Sequence, residues 1–104
     1  MSASELTVGR AVIVQLVRLA AIEVTGVARV GRARPVWASW LAGPAVRVRI
    51  RDERVLVRLH VVARPGQALG PLAAEVRSRI EATIERLLGL KLETVTVIVD
   101  GVGG

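Results

Sequence analysis

The sequence predicts an α+β fold: a two-layer sandwich in which a small mixed or antiparallel sheet is covered on one face by two helices. Three observations carry this. Between Val46 and Val62 the residues alternate, with Val46, Val48, Ile50, Val55, Val57, Leu59 and Val61 apolar and Arg47, Arg49, Arg51, Arg54 and Arg58 between them, a period of two that marks half-buried strands. Two segments, Arg10 to about Val24 and the stretch opened by Leu69-Gly70-Pro71, repeat their apolar residues at helical spacing instead. At 104 residues the chain reads as one domain, 1–104, with room for a single pair of layers.

A two- or four-residue turn around Asp52-Glu53 sets the hairpin register, because either opposes Ile50 to Val55 and Val48 to Val57 on one apolar face. A slip by one residue would turn every side chain over. The same register opposes Arg47 to Arg58 and Arg51 to Arg54 on the other face, where like charges facing one another cost stability. That face is either well solvated or met by something acidic.

The remaining elements follow in chain order. Leu6-Thr7-Val8 reads as a short extended segment and Gly9 as a helix N-cap. In the first helix Val12, Ile13, Leu16, Val17 and Ala20 form a stripe, which Val14, Leu19, Ala21 and Ile22 widen until little besides Arg10, Gln15 and Arg18 is left for water. Such a helix is either sunk in the core or part of a subunit contact. Thr25-Gly26 ends it, and Val27 to Val30 reads as a strand.

Residues 31–44 read as a loop. It holds Trp37 and Trp40 beside Arg32 and Arg34, a pairing of amphipathic rings and basic residues found at interfaces and membrane surfaces; the alternative is that the rings cap an edge of the core. In the second helix Leu72, Val76, Ile80, Thr83, Ile84 and Leu87 form the apolar stripe, and Gly89 stops it. Leu92 to Asp100 reads as the last strand and 101–104 as a flexible tail.

Composition limits the chemistry. Fourteen Arg and one Lys against nine acidic residues give a net charge of +6, which suits carboxylate or phosphate partners. Cysteine is absent, so no disulfide framework, thiolate metal site or cysteine nucleophile is expected. The sole histidine, His60, falls on the arginine face with no carboxylate or serine at matching strand spacing, and reads as a surface residue rather than a base. No catalytic, cofactor-binding or metal-ligating residue is expected. The sheet has no aromatic residue on which an RNA base could stack. The N-terminus lacks the layout of a signal peptide, and the longest apolar run falls short of the ~20 residues of a spanning helix.

Leu6-Thr7-Val8, a helix, and then Ala20-Ala21-Ile22-Glu23-Val24-Thr25-Gly26-Val27 resemble the opening of the alkaline shock protein family of bacterial envelope stress proteins. The resemblance continues through an Arg- or acid-decorated hairpin and a Pro-started helix to the ending Leu88-Gly89-Leu90-Lys91-Leu92-Glu93-Thr94-Val95-Thr96-Val97-Ile98-Val99-Asp100-Gly101-Val102. It implies a small non-enzymatic, self-associating, cytoplasmic domain, held at the membrane in some members by an integral membrane partner, with no catalytic residues to carry over. This chain differs in being basic where many members are acidic.

The expected function is therefore a scaffold or binding role in envelope stress or envelope maintenance, acting through self-association and a membrane-associated partner or surface. The alternative is a polyanion- or nucleic-acid-binding module. The expected partner-binding residues are Trp37, Trp40, Arg47, Arg49, Arg51, Arg54 and Arg58.

Overall fold

The computed structural model describes residues 9–32, 43–52 and 54–103. Among these, two helices and four strands follow in the order α1 (Arg10–Ile22), β1 (Val27–Val30), β2 (Val46–Arg51), β3 (Arg54–Ala63), α2 (Leu69–Leu88) and β4 (Leu92–Val102). The expected strand at Leu6-Thr7-Val8 and most of the loop, with both tryptophans, lie outside the described residues.

The sheet is mixed and built around β3. β2 pairs with β3 antiparallel in the expected register, Ile50 opposite Val55, Val48 opposite Val57, Arg47 opposite Arg58 and Arg51 opposite Arg54. Asp52 enters the turn with φ 48°, the left-handed conformation that two-residue hairpins demand and that Asp tolerates better than most residues. β4 runs parallel to β3 along its whole length, from Val55 opposite Leu92 to Ala63 opposite Val102, and so fills one edge. The other edge is divided: β2 takes Arg54 to Leu59, and β1 takes Val61 to Ala63 antiparallel. The backbone of His60 joins the two, its N–H donating to the Ala45 carbonyl at 2.8 Å and its carbonyl accepting from the Gly31 N–H at 2.9 Å. β1 and β2 thus lie end to end against a single neighbour.

Both helices cover the same face. α1 packs on β1 and β2, α2 packs on β4, and the helices touch each other along their length. One continuous core results, built from Ile13, Val17, Ala20 and Val24 below Val46, Val48, Val57, Leu59 and Val61, with Leu72, Val76, Ile80 and Ile84 from α2. Among the described residues it is aliphatic throughout.

Local signals set the element ends, with three departures from expectation. α1 stops at Ile22 rather than near Val24, because the last turn tightens: the Val24 N–H reaches back only three residues, to the Ala21 carbonyl at 3.2 Å. α2 ends as expected at Gly89, whose φ of 68° lets its N–H close on the Glu85 carbonyl at 2.9 Å. Its stripe is completed by half-buried Leu88, while Leu87, expected in the core, is 51% exposed; Leu88 stands one full turn beyond Ile84 and takes the place. β4 runs two residues past Asp100. Gly101 and Val102, expected in a tail, pair with Val62 and Ala63, and the Gly103 N–H donates to the Ala63 carbonyl at 2.8 Å. The parallel neighbour supplies partners that the glycines themselves do not announce.

α1 is the larger departure. Ile13, Val17, Ala20 and Ala21 are buried, but Val12, Leu19 and Ile22 are 48%, 56% and 45% exposed. The helix is not sunk in the core. Its outward side carries an apolar row with no cover among the described residues.

Candidate arginine site on the open sheet face

Alternation along β2 and β3 sends every second side chain away from the helices, so Arg47, Arg49, Arg51, Arg54 and Arg58 all stand exposed on or beside the open face. β4 brings a second row beside them. Thr94 pairs with Leu56, and Thr96 with Arg58.

The five arginines do not form one group. Arg51 and Arg54 belong to the hairpin end, around a depression shared with Asp52, Leu56 and Glu93. A bulge in β4 causes this: between Val55 and Leu56 the partner register advances from Leu92 to Thr94, which leaves Glu93 as the extra residue. Its Oε1 accepts from Arg54 Nη1 at 3.2 Å. The pair is well exposed, so its worth is small, but it neutralises this end of the face.

Arg47, Arg49 and Arg58 gather instead around a cavity of about 400 Å³ with Thr94 and Thr96 on its far side and Leu56 and Val57 beneath. Among the described residues no acidic side chain lines it, and none of the three arginines forms an ion pair. The Arg47 guanidinium reaches back over Gly43, where an added Cβ would sit 2.8 Å from Nη2. Strand geometry places Arg47 and Arg49 roughly 7 Å apart along β2, and Arg47 directly faces Arg58 across the ladder. Three arginines, each with five donors on its guanidinium, and two threonines line a hollow to which no described residue brings an anion. Chemically such a donor set suits an oxyanion.

The face closes at its other end. His60 is 8% and Val62 4% exposed, so His60 is not the surface residue that its place among the arginines suggested. Its Nδ1 lies 3.8 Å from Asp100 Oδ2, across the β3–β4 ladder. Trp37 and Trp40 lie outside the described residues. Thr94 and Thr96, which join the arginines in the cavity, were not singled out in the sequence: their alternation with Val95 and Val97 marks a face, but not the neighbour that the face will have. Among the described residues no group of three His, Asp or Glu side chains is placed to hold a metal ion, and no helix is long and apolar enough to cross a membrane.

The class that fold and site define is a two-layer α+β domain with a basic, open sheet face. Residues 1–103 match the alkaline shock protein 23 family, which carries the description of a cell envelope-related function. The chain belongs to this family. No curated protein matches it. Among solved structures it is similar to the MamM CTD in its copper form, with a TM-score of 0.65 at 15% identity over 88% of this chain and 85% of that one. Two variants of the MamM CTD give TM-scores of 0.58 at 16% and 15% identity, each over 89% of this chain and 98% of the other. At such identity the likeness shows the fold alone.

Proposed function

We propose that this protein is a non-enzymatic scaffold or binding protein of the cell envelope, acting in envelope stress or envelope maintenance from the cytoplasmic side. It works by associating with further copies of itself and with a membrane-associated partner. The family's cell envelope-related function supports the setting. The observation that carries the mode of action is the outward row on α1: Val12 and Leu19 stand two turns apart on one side of the helix and Ile22 continues it, all three about half exposed. Apolar side chains aligned on one exposed helix face are the usual material of a subunit contact.

Light scattering across a concentration series tests this. The expected mass is a multiple of the 11.1 kDa chain that persists at high salt, since apolar burial is strengthened rather than screened by salt. A monomer mass at high micromolar concentration would remove the self-association reading.

A polyanion- or nucleic-acid-binding module is the second reading, and the cavity formed by Arg47, Arg49 and Arg58 favours it. Binding of that kind weakens steeply with salt as counterions compete for the phosphates.

A further inference from the structure

We propose that the cavity between β2, β3 and β4 binds the phosphates of anionic phospholipid headgroups, and that through Arg47, Arg49 and Arg58 the sheet face lies directly on a negatively charged membrane surface. The inference rests on the polyanion reading of this site and goes beyond it by naming the polyanion.

Four observations select this occupant. First, the cavity is lined by arginines and threonines without any carboxylate among the described residues, a donor set matched to phosphodiester oxygens. Second, a further copy of this chain does not supply the missing charge. The chain carries +6 overall, and the outer surface of α2 balances Glu75, Glu81 and Glu85 against Arg77, Arg79 and Arg86.

Third, the face is poorly shaped for nucleic acid. The described residues of the sheet include no aromatic ring for a single strand to stack upon. A duplex groove admits a helix or a free two-stranded ribbon, whereas the β2–β3 ribbon here has β4 bound along its second edge. Fourth, the basic residues are accompanied by aliphatic surface on their own face. Half-buried Leu56 floors the cavity among them, whereas Ile50, 42% exposed at the hairpin end, turns to the other face opposite Val55. An aliphatic floor bordered by arginines matches the boundary between headgroups and acyl chains, where charge and apolar area act together. The family's envelope-related function places such a surface within reach.

The test is co-sedimentation of the full chain with vesicles of phosphatidylglycerol mixed with phosphatidylcholine. Pure phosphatidylcholine vesicles, soluble glycerol phosphate and a short single-stranded RNA serve as competing probes. Binding to the anionic vesicles is expected, lost at high salt and absent with phosphatidylcholine. Arg47→Thr with Arg58→Thr should weaken it on the order of twenty-fivefold, about fivefold for each arginine. Arg77→Thr with Arg86→Thr, which removes equal charge from the helical layer, should leave most of the binding in place.

The Arg47/Arg58 variant should melt no lower than the parent, because neither arginine has an ion-pair partner among the described residues and their opposition is relieved. A clear fall in its midpoint would make the arginines part of the fold and overturn the proposal. So would equal loss in the two double variants, which would reduce the effect to net charge. Tighter binding of RNA, or saturation by glycerol phosphate at equal affinity, would keep a polyanion site and discard the membrane. Binding to none of the probes would discard both.

Discussion

Leu19→Glu is expected to reduce the assembly to the 11.1 kDa chain without unfolding it. Leu19 is 56% exposed in the isolated domain, so a charge there stays in water and the thermal midpoint should move little. In an assembled helix contact the same carboxylate would be stripped of water with no partner, since the neighbouring members of the row, Val12 and Ile22, are aliphatic. Leaving one such charge unpaired costs about 3–5 kcal/mol, which corresponds to a rise in the dissociation constant of about a hundredfold or more. Sedimentation velocity on the variant, with circular dichroism to verify the fold, reads both parts. Should the mass stay that of the parent in Leu19→Glu, and again in Val12→Glu, the contact lies elsewhere and the row on α1 is ordinary surface.

Leu59→Ala is expected to have the largest effect on stability of any single truncation in the sheet. Leu59 is fully buried at the middle of β3, between Val46 on one side and Val97 on the other, and faces both helices through the core. Truncating such a residue costs about 2–5 kcal/mol, through lost burial and an unfilled cavity. With no aromatic residue among the described core side chains to shift into the space, a value in the upper half of that range is expected. For a domain whose total stability is of the order of 5–15 kcal/mol, that is a large fraction. Leu56→Ala, three residues away on the opposite face and only half-buried, should cost well under half as much. Urea denaturation of the two variants tests the assignment of faces; equal losses would show that the two sides of the sheet are packed alike.

The hairpin was legible down to its register because two independent signals agree there. Alternation fixes which side chains share a face, and the length of a turn holding Asp52 fixes which residues oppose each other. α2 was legible for a similar reason, with polar residues on three sides and a glycine at its end. α1 was not, since a helix apolar nearly all round does not say which side it buries; its packing against β1, β2 and α2 decides. β4 showed its faces but not its partner. Period two is silent on direction and neighbour, so the parallel pairing with β3, the inclusion of Gly101 and Val102, and the arrival of Thr94 and Thr96 beside the arginines all depended on tertiary structure. The division of the arginines rests on a bulge at Glu93 that leaves no mark on the alternation of the hairpin. His60 was placed on the correct face and with the wrong exposure, because the junction of β1 and β2 at its backbone is a meeting of segments distant in sequence.

The division of labour around β3 also bears on how the chain is made. β2 and β3 are joined by a two-residue turn and can pair within microseconds of leaving the ribosome, whereas β4 reaches β3 only after the whole of α2 has been synthesised and has crossed the sheet. Until then one full edge of β3 presents its amides and carbonyls to any strand that comes near. A nascent or truncated chain ending before Leu92 is thus an incomplete template, and a second such chain is its nearest source of a missing strand. Expressed alone, that fragment should accumulate as aggregates, and adding a peptide that spans Leu92 to Val102 should return part of it to monodisperse form.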